Sequence, residues 1–90
     1  MQQPTRIAIV TGGLTGIGRA AAARLARGGA KVVVGARRWA ARDLTADLQQ
    51  EFGERIDFRQ LDVRDTASCR DFVDGVLADH GRVDILVNAA

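Results

Sequence analysis

The 90-residue sequence has few of the residues on which secreted, metal-binding and membrane-spanning proteins depend. Its single cysteine, Cys69, excludes an intrachain disulfide, and its single histidine, His80, stands in no recognisable metal-ligating or nucleophile pattern. No apolar run approaches the roughly 20 residues of a transmembrane helix. The polar start of the chain lacks the charged region and apolar stretch of a secretory signal peptide. These absences predict a cytoplasmic protein with no membrane partner.

The lone cysteine and histidine both fall on the third predicted helix. Cys69 lies on the apolar face of this helix, which predicts a buried and inert thiol. His80 lies in the last turn, where a cationic side chain suits the helix dipole, so we expect a structural or solvent-facing role. Neither residue is expected to carry chemistry.

The net charge of +2 conceals a strong asymmetry between the two halves of the chain. Residues 1–45 carry eight Arg or Lys and one acid, whereas residues 46–90 carry five Arg and ten acids. Nucleic-acid binding is disfavoured, because the basic side chains are scattered over several elements and do not cluster with aromatic residues. The asymmetry instead favours an anionic ligand bound by the first half.

Apolar strands alternate with amphipathic helices along the whole chain. Short connections between such strands favour a parallel sheet with right-handed crossovers. The sequence therefore predicts an α/β fold: one Rossmann-type, doubly wound domain over residues 1–90, with strand order 3-2-1-4. The predicted strands are 6–11, 31–36, 55–61 and 83–87, and the predicted helices are 16–27, 39–52 and 66–80.

A glycine-rich turn, Thr-Gly-Gly-Leu-Thr-Gly-Ile-Gly, joins the first strand to the first helix. Glycines at such a turn let a pyrophosphate approach the backbone and the positive end of the helix. The spacing Thr-Gly-x-x-x-Gly-x-Gly resembles the glycine motif of the short-chain dehydrogenase/reductase family. The resemblance implies a dinucleotide cofactor held by Gly12, Thr15, Gly16, Ile17 and Gly18, with Thr15 and Ile17 touching the diphosphate.

The end of the second predicted strand indicates which dinucleotide is bound. An NAD site places an acid there to bind the ribose hydroxyls, but no acid lies near Ala36, and Arg37 and Arg38 follow directly. Guanidinium groups bind a 2′-phosphate through charge-assisted hydrogen bonds. The sequence therefore predicts NADP(H) in preference to NAD(H). The alternative is that the Arg pair is only solvated surface.

Two further segments match the family. Asp62-Val63 ends the third strand; by position alone Asp62 could equally be a loop residue, but the resemblance implies that the pair holds adenine. Asn88-Ala89 resembles the family's Asn-Asn-Ala-Gly segment with alanine in the second place, which implies a position near the adenosine ribose. For Asn88, a structural role between neighbouring strands is at least as well supported.

The residues that catalyse hydride transfer in this family, a Tyr-x-x-x-Lys pair and an upstream serine, have no counterpart here. The sequence has no tyrosine, its only lysine is Lys31, and Thr66 and Ser68 suit helix capping. We therefore expect an N-terminal, inactive fragment with an exposed apolar edge at its fourth strand. The resemblance implies a homo-oligomeric full-length enzyme that oxidises an alcohol or reduces a carbonyl.

Two other function classes share this kind of sheet. The main alternative is a non-catalytic module that binds or senses nucleotides and keeps only the cofactor site. A methyltransferase is less favoured, because it too normally has an acid after the second strand.

Overall fold

A computed structural model describes residues 5–12, 16–37 and 46–89. Strands and helices alternate along the chain. The elements are strand β1 (Ile7–Thr11), helix α1 (Gly16–Arg27), strand β2 (Lys31–Ala36), helix α2 (described over 46–52), a 3-10 turn (Gly53–Arg55), strand β3 (Ile56–Gln60), helix α3 (Thr66–His80) and strand β4 (Ile85–Asn88). The predicted part of α2 before residue 46 lies outside the described residues.

The four strands form one parallel sheet in the order β3-β2-β1-β4. Thr11, the last residue of β1, is paired with Gly35 of β2 on one side and with Asn88 of β4 on the other. All four strands therefore end at the same edge of the sheet. The predicted Rossmann-type arrangement and strand order are confirmed.

The core lies on both faces of the two central strands. β1 and β2 are runs of mainly β-branched residues that are buried on both sides, as is typical of parallel sheets. Alternate residues such as Val10 and Val34 pack under α1 and α2, whereas Ile9 and Val33 pack under α3. The helices therefore cover opposite faces, and the carboxyl edge of the sheet stays open.

Helix α3 begins and ends as the sequence predicts. The Asp65 carboxylate accepts hydrogen bonds from the backbone N–H groups of Ala67 and Ser68, which makes Asp65 the N-cap. Gly81 follows the helix with a φ of 79°, and its N–H donates to the Leu77 carbonyl at 2.8 Å. Hydrogen bonds at both caps thus fix where α3 begins and ends.

Strand β4 begins two residues later than predicted. The Asp84 carboxylate accepts the Ile7 N–H at 2.8 Å, and the Asp84 N–H donates to the Ile7 carbonyl at 2.8 Å. Because Asp84 uses its side chain as an acceptor for the first residue of β1, regular pairing starts only at Ile85. The pKa of the Asp84 carboxyl lies below the usual range, chiefly because of the hydrogen bond from the Ile7 N–H.

The apolar stripe of α3 is only partly covered. Phe72 and Val76 are buried, but Val73 is 40% exposed, and Leu86 of the edge strand β4 is 66% exposed. Cys69 is half-buried, so the expectation of a buried thiol is corrected. Cys69, Phe72, Val73 and Leu86 border an open apolar groove between α3 and β4, and no described element covers it.

The described ranges contain no helix that is long and apolar enough to cross a membrane. Over the same residues, no group of three or more His, Cys, Asp or Glu side chains could hold a metal ion. His80 is half-buried, and its Nε2 has no hydrogen-bond partner in the described part of the chain.

Candidate cofactor-binding site

The segments that follow the four strands converge at the carboxyl edge of the sheet. They contain Gly12 after β1, Arg37 after β2, Asp62 and Val63 after β3, and Ala89 after β4. Ligands of open α/β sheets bind outside the carboxyl ends of the strands. The structure thus brings the described members of the predicted site to one edge, whereas Thr15 and Arg38 lie outside the described residues.

The turn between β1 and α1 depends on its glycines. Gly12 and Gly16 have positive φ values of 69° and 56°, a conformation that L side chains rarely adopt. At Gly18, a Cβ atom would clash with the Gly12 carbonyl oxygen and lie 3.1 Å from the Ala89 Cβ. The start of α1 therefore packs directly on the ends of β1 and β4.

The first turn of α1 lies at this edge of the sheet. It contains no acidic residue that would oppose an anion at the positive end of the helix dipole. Ile17 is 83% exposed, so its side chain is accessible to a bound molecule. The helix start is therefore chemically suited to a diphosphate.

Asp62 stands between two arginines. The Arg64 guanidinium donates from Nε to Asp62 Oδ1 at 3.1 Å and from Nη2 to Oδ2 at 3.2 Å. Arg37 Nη2 lies farther away, at 4.0 Å from Oδ1. Hydrogen bonds from the Arg64 side chain and backbone, together with the charges of both arginines, lower the pKa of Asp62 to about 2. The carboxylate is therefore ionised at neutral pH.

The loop that carries Asp62 is held by the start of α3. The Asp62 N–H donates to Ser68 Oγ at 3.0 Å, and the Asp62 carbonyl accepts the Asp65 N–H at 3.0 Å. Cys69 Sγ lies 3.8 Å from the carbonyl oxygens of Asp62 and Val63. Val63 is 51% exposed and lines the groove between α3 and β4. The two predicted adenine-contacting residues are thus presented on a fixed backbone.

Asn88 links β4 to β1 through side chains. The Thr11 hydroxyl donates to Asn88 Oδ1 at 2.8 Å, and the Ala89 N–H donates to the Thr11 carbonyl at 3.1 Å. The structural role foreseen for Asn88 is present, although the partner is a side chain and not a neighbouring backbone. This bond holds the ends of β1 and β4 in register beside the glycine turn.

Sequence reasoning missed three residues whose side chains hold the site together: Thr11, Arg64 and Ser68. Ser68 was expected to suit capping, but its hydroxyl accepts a hydrogen bond from the Asp62 N–H. The N-cap is Asp65, the residue directly before the predicted helix. The sequence signal for Arg64 is its position two residues after Asp62, where a carboxylate readily binds the following backbone and side chain. No comparable signal marks Thr11, whose partner is 77 residues away.

Comparison with known proteins agrees with this geometry. Residues 6–90 match the family model described as short chain dehydrogenase. The homolog YusS of Bacillus subtilis is 41% identical over 86 residues, which cover 94% of this chain and 79% of that protein. A putative ketoacyl reductase of the monensin polyketide synthase from Streptomyces virginiae is 40% identical over 99% of this chain and 34% of its own length. Human retinol dehydrogenase 11 is 37% identical, with 29% of its length covered.

Solved structures show the same fold at similar identity. A short-chain dehydrogenase from Streptomyces avermitilis superposes with a TM-score of 0.87 at 36% identity, over 97% of this chain and 31% of that chain. A variant of actinorhodin polyketide ketoreductase with NADPH gives 0.86 at 38% identity, over 96% and 33%. Except for YusS, the chain spans about a third of the proteins named here. The chain belongs to the short-chain dehydrogenase family of oxidoreductases, whose cofactor is a nicotinamide dinucleotide.

Proposed function

We propose that this chain forms the NADP(H)-binding region of an oxidoreductase that, in its full-length form, oxidises an alcohol or reduces a carbonyl. The observation that carries the choice of NADP(H) is the exposed Arg37 directly after β2, at the position where an NAD site has an acid. A guanidinium at that position attracts a 2′-phosphate, whereas a carboxylate would repel it.

Arg37 is free enough to bind such an anion. Its contact with Asp62 is an exposed ion pair at 4.0 Å, beyond hydrogen-bond distance and therefore weak. Arg64 already neutralises the same carboxylate through two shorter hydrogen bonds. Releasing Arg37 from Asp62 on binding a phosphate therefore requires little free energy. The NADPH named with the actinorhodin ketoreductase structure is in keeping with this choice.

The rest of the cofactor is assigned to the other strand ends. Gly12, Gly16, Ile17 and Gly18, together with Thr15, would hold the diphosphate at the start of α1. Arg38 would assist Arg37 at the 2′-phosphate.

Adenine and its ribose would occupy the other side of the carboxyl edge. Asp62 and Val63 would bind adenine, and Asn88 with Ala89 would lie beside the adenosine ribose. The cofactor would supply or accept the hydride when bound, and this chain's own residues would bind and orient its adenosine half.

Isothermal titration of the purified protein with NADPH and with NADH tests this assignment. We expect NADPH to bind at least about tenfold more tightly, a difference of about 1.4 kcal/mol. Arg37→Ala should remove most of the preference by weakening NADPH binding alone. Arg55→Ala is the matched control, because Arg55 is also exposed but precedes β3 at the opposite end of the strands. Equal affinities in the unaltered protein, or an unchanged preference in Arg37→Ala, would refute the proposal.

The non-catalytic alternative predicts the same binding without turnover. Since the 90 residues contain no tyrosine, hydride transfer by a Tyr-x-x-x-Lys pair needs residues outside this chain. Following NADPH oxidation at 340 nm by the full-length protein, with a panel of aldehydes and ketones, separates the two functions. Consumption of NADPH that depends on the carbonyl supports the oxidoreductase, and tight binding without consumption across the panel supports a sensing module.

A further inference from the structure

Every polar group of Asp62 has a partner from the following loop or helix. Its N–H donates to Ser68 Oγ, and its carbonyl accepts the Asp65 N–H. Its carboxylate takes three hydrogen bonds from Arg64: the backbone N–H at 3.0 Å and Nε at 3.1 Å, both on Oδ1, and Nη2 at 3.2 Å on Oδ2. Such a fork fixes the carboxylate plane as well as its charge.

These contacts leave one acceptor position on the carboxylate. An ionised carboxylate accepts about four hydrogen bonds, two at each oxygen. Among the described residues, two donors of Arg64, the backbone N–H and Nε, fill Oδ1, whereas Oδ2 receives one hydrogen bond, from Nη2. In the described part of the chain, the next backbone donor, the Val63 N–H, has no protein acceptor. A free acceptor therefore stands beside a free donor on an exposed loop.

This acceptor–donor pair complements one edge of a 6-aminopurine. The amino group of adenine donates, and the adjacent ring nitrogen N1 accepts. A 6-oxopurine such as hypoxanthine reverses both groups, so its carbonyl oxygen would face the Asp62 carboxylate and its N1–H would face the Val63 N–H. Polar groups left unpaired or opposed in this way lower affinity more than a missing apolar contact does.

We propose that Arg64 is a positioning residue that makes the site selective for adenine over hypoxanthine, by fixing Asp62 so that only one acceptor on Oδ2 faces the cofactor. This inference rests on the proposed binding of adenine by Asp62 and Val63. Without the Arg64 side chain, a single hydrogen bond from the backbone N–H of residue 64 remains on Oδ1. The carboxylate can then turn about its broad terminal torsion, and the matched pair is weakened. Lysine would supply the charge but not the planar fork.

The chain contains a similar pair that serves as a matched control. Arg82 and Asp84 are also separated by two positions, and Arg82 Nε donates to Asp84 Oδ2 at 2.9 Å. That pair lies at the opposite edge of the sheet, where Asp84 binds the first residue of β1. Arg82→Ala therefore removes an arginine–aspartate contact of the same kind without touching the cofactor edge.

The test measures the dissociation constants of NADPH and of its hypoxanthine analogue by isothermal titration, with thermal melting to confirm that each variant is folded. The unaltered protein and Arg82→Ala should prefer NADPH by about tenfold or more, as expected for opposed polar groups. Arg64→Ala and Arg64→Lys should lose most of that preference while keeping the ratio of NADPH to NADH affinity. If Arg64→Ala does not fold, Arg64→Lys provides the same comparison.

Other outcomes overturn the inference in distinguishable ways. Equal binding of both purines by the unaltered protein would show that Asp62 does not read adenine, which also removes that part of the proposed function. A retained adenine preference in both Arg64 variants would exclude the positioning role and leave the adenine contact intact. An equal loss of affinity for both purines would indicate a merely structural role. A change in the NADPH to NADH ratio would place Arg64 at the 2′-phosphate instead.

Discussion

Replacing Gly18 with alanine has two opposing effects on stability: a gain from higher helix propensity and a loss from overpacking. In an ordinary helix interior, alanine is more favourable than glycine by about 1 kcal/mol. Gly18 is buried near the start of α1, where an added Cβ would clash with the Gly12 carbonyl oxygen and lie 2.9 Å from the Gly12 carbonyl carbon and 3.1 Å from the Ala89 Cβ. Most of these neighbours are backbone atoms, which cannot rotate away.

The packing effect should outweigh the propensity gain. Forcing an extra methyl group into a close-packed position costs about 1–3 kcal/mol, and the backbone contacts at Gly18 favour the upper part of that range, about 2–3 kcal/mol. Subtracting the propensity gain of about 1 kcal/mol, we expect Gly18→Ala to lower the free energy of unfolding by a net ~1–2 kcal/mol. For a chain of this size, each 1 kcal/mol shifts the melting temperature by about 4–8 °C. The same movement of α1 would displace the glycine turn, so NADPH affinity should fall as well.

Thermal denaturation followed by circular dichroism measures the effect, and α3 provides the control. Among the described residues, a Cβ at Gly75 would meet Arg59 Nη1 alone, at 3.2 Å, which is the end of a flexible side chain. Gly75→Ala should therefore keep most of the propensity gain and raise the melting temperature. A melting temperature of Gly18→Ala equal to or higher than that of the unaltered protein would contradict the close contact of α1 with the ends of β1 and β4.

Three further substitutions test how the sheet and helices are held. Asp65→Ala should reduce the free energy of unfolding by about 1 kcal/mol in urea titrations, because it removes the α3 N-cap, whereas Asp65→Asn should cost much less. Gly35→Ala should cost about 1–3 kcal/mol, since the new Cβ would lie 2.7 Å from Leu61 Cδ2; an unchanged urea midpoint would contradict that packing. Asp84 has a folded-state pKa below its unfolded value of about 4, so its contribution is present above that pH and declines as the pH falls through the folded-state pKa. The melting temperature of Asp84→Asn should therefore depend less on pH in that acidic range. If its pH profile matched that of the unaltered protein, the hydrogen bond from the Ile7 N–H to Asp84 would not be the source of this pH dependence.

The strand order could be predicted because it follows from local features of the sequence, the apolar runs and the short connections between them. Runs such as 31–36 are continuous and rich in β-branched residues, so they predict fully buried parallel strands, and short connections leave few topologies. The start of β4 could not be predicted in the same way. Val83 and Asp84 read as part of an apolar strand, but Asp84 is held out of the pairing by its carboxylate, and that contact with Ile7 exists only in the folded sheet.

The candidate site was predicted where backbone conformation dictates residue type. Gly12, Gly16 and Gly18 are required by positive φ or close approach, and such demands leave a readable spacing in the sequence. The side-chain bond between Thr11 and Asn88 depends on the register of two strands that are far apart in the chain, so no local pattern reports it.

The convergence of four strand ends on one edge links the stability of the chain to its ligand. The assigned contacts run from Gly12 to Ala89, and they come together only when all four strands are paired. A nucleotide that uses them binds the folded chain and not the unfolded one. At a concentration 100 times its dissociation constant, it would therefore raise the free energy of unfolding by about 2.7 kcal/mol. Losing any one strand would weaken binding even where no contact residue is removed, and saturating cofactor would slow hydrogen exchange across the whole sheet, including amides far from the ligand.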